Sequence, residues 1–254
     1  GEKVALKVVH PDLLTDEADR QLYRHEAQIG ADIVHPGVVR ILGWGEWTVL
    51  AEDGQPQPTA YLVMELLSGQ TLAEYRKKRG RLPPGEAAAI ITAVCDALSA
   101  LHRLDVVHRD VKPGNIMLVD GGIKLMDFGA ARHVGQLTQE GRSILGTIGY
   151  LAPEQGQGSP PEPQADVYAV GVILHELLAG ERPFEADDLV TMLSRILTED
   201  APLIPDIPEE LQDVVDQALC RDPDARYPSV TALAEALAPF ATAVPAPRLS
   251  LIHI

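Results

Sequence analysis

The chain has 254 residues, 46% of them hydrophobic, with 21 Lys and Arg against 37 Asp and Glu, a net charge of −16 and a pI near 4.8. That apolar content excludes a disordered polymer and suffices for one large domain or two small ones. A surface this acidic argues against nonspecific binding to nucleic acid or anionic membrane, and would favour basic partners if it selects at all.

Two cysteines, Cys95 and Cys220, each sit in a helical apolar pattern. They give neither a disulfide framework nor a metal spacing, so a reducing, cytoplasmic setting is expected. No charge-free run of about 18 apolar residues occurs, so no membrane contact is expected of this segment. The start, Gly1-Glu2-Lys3, runs straight into a strand pattern with no leader, as expected of a piece of a longer protein whose membrane tether, if any, lies elsewhere.

In chain order, residues 4–9 (VALKVV) read as a short strand carrying one cation, Lys7. Residues 15–33 read as a helix capped by Thr15, with Asp16 and Glu17 in its first turn. Leu22, Glu26 and Ile29 share one face, so Glu26 lies on the apolar stripe and needs a cationic partner. Gly30 costs that helix about 1 kcal/mol relative to Ala. Pro36 ends it, and residues 38–42 read as a strand. Gly43-Trp44-Gly45 lacks the third glycine of a phosphate loop and reads as a turn, while residues 51–59 read as a polar loop. Residues 61–67 form the next strand pattern, leading into Ser68-Gly69. Residues 71–79 make a short basic-ended helix. Residues 84–104 make a longer one with Ala87, Ile90, Ile91, Val94, Leu98 and Leu101 on one face.

The densest stretch is 108–129, HRDVKPGNIMLVDGGIKLMDFG. Two apolar runs around Asp120-Gly121-Gly122 predict a β-hairpin. Symmetry about Gly121 sets Asn115 opposite Asp127, with Asp110 one short loop away at the same end; a bulge at the glycines would slip this by one. Residues 130–151 show no element and form a long glycine-bearing loop ending in Ala152-Pro153-Glu154. Residues 166–180 are apolar nearly all round, a buried helix closed by Arg182-Pro183-Phe184. Helical patterns follow at 189–197, 211–219 and 230–240. Residues 241–254 (ATAVPAPRLSLIHI) read as a linker or a cloning artefact.

The spacing of His108-Arg109-Asp110, Lys112-Pro113, Asn115 and Asp127-Phe128-Gly129, with VALK upstream and Ala-Pro-Glu downstream, resembles the motif set of bacterial-type Ser/Thr protein kinases over residues 4–240. The resemblance implies an α+β, bilobal fold: a small, incomplete β-rich lobe over 1–66 and a larger helical lobe over 67–240. It implies ATP and Mg²⁺, with Mn²⁺ as an alternative, and protein substrates carrying Ser or Thr, the chain itself among them.

By the same resemblance, Asp110 accepts or orients the substrate hydroxyl, Lys112 reaches the γ-phosphate, and Asn115 and Asp127 ligate the metal. Lys7 holds the α- and β-phosphates and pairs with Glu26. Ala5 packs on adenine, Met64 is the gatekeeper, the Glu65 and Leu67 backbones hydrogen-bond adenine, and Met117 is assigned to nucleotide binding. Phe128, beside Gly129, packs beneath the Glu26 helix. Residues 130–151 become an activation segment, in which phosphorylated Thr138 or Ser143 would pair with Arg109 and Arg132, and Thr147 would line the substrate shelf. Asp166 braces the His108-Arg109-Asp110 loop, and Glu154 pairs with Arg226.

One departure stands out. The glycine-rich loop that covers the phosphates should precede Val4 and is not in this sequence, which implies weak nucleotide binding by this stretch alone and an uncovered sheet edge. The rival readings are a pseudokinase scaffold, against which Lys7, Asp110 and Asp127 stand, and a small-molecule kinase of aminoglycoside type, against which Lys112-Pro113 and Ala-Pro-Glu stand.

Overall fold

A computed structural model describes residues 3–9, 17–50, 54–128, 148–158 and 162–242. Strand β1 (Val4–Val8) alternates: Ala5 and Lys7 turn inward and half-buried, while Val4, Leu6 and Val8 face out at an open sheet edge. β2 (Ile41–Leu50) and β3 (Pro56–Glu65) complete an antiparallel sheet in the order β1-β3-β2. Ala5 stands across from Met64, and Lys7 across from Leu62.

Three expectations in this region fail. β2 runs straight through Gly43-Trp44-Gly45, which is no turn, and the 51–59 loop gives way to β3 from Pro56 onward. Val38 makes only a bridge to Leu125; the strand proper starts at Ile41. The cause is aromatic cross-strand packing, which outweighs the glycine signal. Trp47 and Tyr61 rings lie 5.1 Å apart, and a Cβ at Gly45 would come within 2.5 Å of the Tyr61 hydroxyl. The glycines admit a neighbouring ring, and Leu42 forms a bulge where the register steps from Ile41 to Gly43.

Helix α1 (Glu17–Asp32) packs on β2; Thr15 and Asp16, the expected cap, lie outside the described residues. A second sheet, β4 (Gly69–Thr71), β5 (Ile116–Val119) and β6 (Gly122–Leu125), opens the helical part. Thr71 caps α2 (Leu72–Arg79) in a capping box with Glu74. α3 (Pro84–His102) has the length and apolarity of a membrane-crossing helix, yet its apolar surface is spent on the core. It packs against α5 (Pro163–Ala179) and α8 (Val230–Leu237), with α4 (Pro153–Gly156), α6 (Leu189–Thr198) and α7 (Glu209–Ala218) around them. Leu98, Leu101, Ile116, Leu118, Leu125, Ile173 and Leu174 are fully buried at the centre. α5 is sealed on every side and stops at Ala179, before Gly180, short of the expected Arg182–Phe184 closure.

The hairpin forms, but one residue out of the symmetric register. Its loop is Asp120-Gly121, with Val119 paired to Gly122 and Ile116 to Leu125. Gly121 takes φ 88°, which a side chain would resist, and this permits the two-residue reversal. Asn115 therefore faces Met126, not Asp127.

Candidate active site

The hairpin's open end holds the site. The Asn115 carbonyl accepts from Met126 N–H at 2.8 Å, so Asp127 leaves the hairpin one residue beyond the pair. A 3₁₀ turn (Pro113–Asn115) leads into β5 and buries Asn115. Asn115 Nδ2 donates to the Asp110 carbonyl at 2.8 Å and to Asp110 Oδ2 at 3.0 Å. Lys112 Nζ lies 2.8 Å from the same Oδ2. Asp110, Lys112 and Asn115 thus form one cluster, in which the Asn115 amide oxygen and Asp110 Oδ1 have no hydrogen-bond partner among the described residues.

Asp166, at the start of α5 and 1% exposed, hydrogen-bonds the backbone of the His108-Arg109 loop. Its Oδ2 accepts from His108 N at 2.9 Å, and its Oδ1 from Arg109 N at 3.0 Å. His108 is buried, its Nε2 3.0 Å from the Met126 carbonyl, and its Nδ1 accepts from Asp110 N at 3.3 Å. These bonds hold two residues in the left-handed region, Arg109 at φ 68° and Asp127 at φ 59°. Such backbone costs on the order of 1–3 kcal/mol per residue and persists only where its surroundings over-determine it.

Lys7 Nζ lies 2.6 Å from Asp127 Oδ1, across the gap between the sheets. The expected partner was Glu26, whose side chain lies outside the described residues. Phe128 does pack beneath α1: a Cβ at Gly30 would sit 2.9 Å from its Cε2. Gly30 is there for close approach, which sets its helix cost in context.

Met64, Met117 and Leu67 are half-buried around the strand ends. Glu65 N–H donates to the Arg40 carbonyl at 3.0 Å, so that amide is not available to a ligand. Gly129, Arg132, Thr138, Ser143 and Thr147 lie outside the described residues. Glu154 and Arg226 pair in two bonds of 2.7 Å.

Several supporting residues gave no sequence signal. His102, ending α3, sets Nε2 2.8 Å from Asp166 Oδ2, a third bond to that carboxylate. Glu176 on α5 is buried, accepting from the Tyr150 hydroxyl at 2.6 Å and meeting Arg76 at 3.0 Å. Burial pushes the Glu176 carboxyl above its ordinary value despite both partners, and pushes Tyr150 up as well.

The donor set suits a hard cation. Among the described residues no three His, Cys, Asp or Glu side chains cluster into a closed cage. One carboxylate, Asp127, and one amide oxygen, Asn115, match Mg²⁺, which takes few protein oxygens and completes its shell with phosphate and water.

A protein kinase domain matches residues 1–237. The chain is 37% identical over 242 residues to the serine/threonine-protein kinase PknA of Mycobacterium tuberculosis, covering 94% of this chain and 55% of that one. It is 36% identical over 246 residues to the probable serine/threonine-protein kinase PknB of Corynebacterium glutamicum, covering 92% of this chain and 37% of the relative. PknB of Mycobacterium leprae is 37% identical over 232 residues. The chain spans between about a third and just over half the length of these relatives.

Proposed function

The chain belongs to the protein kinase family, and on that premise we propose that it transfers the γ-phosphoryl group of ATP to Ser or Thr hydroxyls of protein substrates, itself included. Residues 1–66 then act as the smaller lobe and 67–240 as the larger. One observation carries the reading: Asp110 is held by Lys112 and Asn115 at the hairpin end from which Asp127 emerges.

Among the described residues, both contacts to the Asp110 side chain fall on Oδ2. Oδ1 is the oxygen placed to accept the hydrogen bond of a substrate hydroxyl and take up its proton as the new P–O bond forms and the bond from the γ-phosphorus to the β-phosphate oxygen breaks, releasing ADP. Lys112, beside it, offsets charge on the transferring phosphoryl oxygens. Lys7 holds the α- and β-phosphates. Asn115 and Asp127 would hold Mg²⁺, which when bound neutralises phosphate charge and fixes the phosphate geometry. Asp166, through His108 and Arg109, keeps Asp110 in place. Lys112-Pro113, which follows Asp110, favours a Ser/Thr-bearing protein over a small alcohol.

The test is label transfer from γ-labelled ATP with Mg²⁺ to a generic basic protein, beside a panel of small alcohols. Label on Ser and Thr of protein is expected, and Asp110→Asn should lower it by about 10²–10⁴-fold. Label on small alcohols alone, or none with intact protein, overturns the proposal.

A further inference from the structure

Lys124 touches none of the reacting groups, yet it joins the two halves of the site. It stands on β6, three residues before Asp127. Its Nζ lies 2.6 Å from Glu65 Oε1 and 3.2 Å from the Val38 carbonyl oxygen. Glu65 ends β3 and opens the connection through Leu67. Its Oε1 also accepts from Arg40 N at 2.8 Å, while its own N–H donates to the Arg40 carbonyl. On the other flank of this strap, Val39 N donates to the Leu125 carbonyl at 2.9 Å, and Leu125 N to the Gly37 carbonyl at 2.7 Å. Residues 37–40 are thus gripped between the end of β3 and the hairpin that leads to Asp127. The Lys124–Glu65 pair closes the grip.

The pair is partly desolvated, with side chains 18% and 31% exposed. Burial pushes the Glu65 carboxyl up, but the Lys124 ammonium and the Arg40 amide outweigh it and hold it below its ordinary value. The interaction therefore favours the charged pair in this setting.

We propose that Lys124 and Glu65 are positioning residues, a clasp that fixes the 65–67 backbone relative to Asp127 and so sets how a nucleotide spans the two. The kinetic consequence rests on the phosphotransfer reading. A nucleotide bridges two bodies, its base on the 65–67 backbone and its phosphates on the Asp127 side. It binds only molecules in which the spacing is right, so apparent affinity falls with that fraction. Among the described residues, Lys7–Asp127 and Lys124–Glu65 cross between residues 1–66 and 67–240, as does a third contact, His35 Nε2 to Asp96 Oδ2 at 3.2 Å on α3. The first consists of groups that the phosphates and cation each require. The second engages no ligand, so it persists when nucleotide is bound.

The experiment compares Lys124→Met, Glu65→Gln, the double variant and Lys124→Arg. Glu65→Gln keeps an oxygen for the Arg40 amide while removing the charge. Hydrogen exchange at the Val39, Arg40 and Glu65 amides is read with the KM for ATP and kcat. Each single variant should exchange faster there and raise the KM about fivefold, with kcat within about twofold of the parent. The double variant should be no worse than the worse single one, because the two residues act as one pair. Lys124→Arg should retain most of the affinity. Unchanged exchange, additive losses, a kcat that falls as far as kcat/KM, or a KM that drops would each overturn the clasp. A parent protein that transfers no phosphate counts against the phosphotransfer reading, and the exchange comparison then decides the clasp alone.

Discussion

Arg226 grips Glu154 with both guanidinium tips, each 2.7 Å from a different carboxylate oxygen. The remaining donors go to the carbonyls of Cys220, Gln164 and Arg221, and the guanidinium lies 4.9 Å from the Tyr168 ring centre. The Arg226 side chain is wholly buried. Glu154 sits on α4, and Gln164 opens α5, so the pair fastens the segment before α5 to the last helical layer. Removing one partner strands a buried charge. Arg226→Met should cost about 3–5 kcal/mol in urea unfolding. Arg226→Lys should recover less than half, since an ammonium cannot reproduce the fork. A loss under about 1 kcal/mol for the Met variant would show that the pair is dispensable.

Lys7–Asp127 behaves oppositely, because both side chains are more than a third exposed. Exposed pairs contribute about 0–1 kcal/mol, so Lys7→Met should melt close to the parent. Transfer should nevertheless fall by about 10²–10³-fold, the scale of losing one charge aimed at a developing negative charge. Circular-dichroism melts beside label transfer separate these effects. A Lys7→Met protein of parental activity would remove Lys7 from the phosphate site.

Gly30→Ala sets two terms against each other. Helix propensity gains about 1 kcal/mol. The new Cβ would stand 2.5 Å from Ile41 Cδ1 and 2.9 Å from Phe128 Cε2, and overpacking of this kind costs about 1–3 kcal/mol. Both neighbours are side-chain tips that can shift, so net stability should change by less than about 2 kcal/mol. Activity should fall further, because Phe128 follows Asp127, whose φ of 59° tolerates little movement. Equal activity with equal stability would mean that the α1–Phe128 contact carries no information to Asp127.

How much of this was legible beforehand depended on how far apart the partners stand in sequence. Asp110, Lys112, Asn115 and Asp127 declare themselves because the chemistry packs them into one short loop and hairpin. The hairpin register slipped by one because glycine pairs allow loops of more than one length, and the choice is made by Gly121 entering the positive-φ region. Gly43-Trp44-Gly45 misled because a local turn signal lost to Trp47 and Tyr61 packing across strands. His102–Asp166 and Lys124–Glu65 bridge 64 and 59 residues, and a lone His or Lys carries no pattern announcing such a partner. Glu154–Arg226 spans 72 residues and was expected only through the family resemblance.

His175 supplies a pH test with a defined sign. It is buried on α5, Nδ1 3.2 Å from the Glu181 carbonyl and Nε2 3.2 Å from the Pro202 carbonyl. Burial holds its pKa below the ordinary 6.5, outweighing the pull of both carbonyls. The unfolded chain therefore takes up a proton near pH 6.5 that the folded chain refuses. The contribution is complete above 6.5 and is lost as pH falls from there toward the folded value, at no more than about 1.4 kcal/mol per pH unit. Glu176, the next residue, acts the other way. Its folded pKa is raised above 4.5, so the folded chain binds its proton first and gains stability as pH falls from that folded value toward 4.5. Comparing the parent with His175→Gln isolates the histidine. Urea unfolding at pH 7.5, 6.5 and 5.5 should show the parent losing stability faster than the variant below 6.5, and the two running parallel above 7. Parallel lines throughout would mean that His175 titrates alike in both states, and that burial leaves its charge unperturbed.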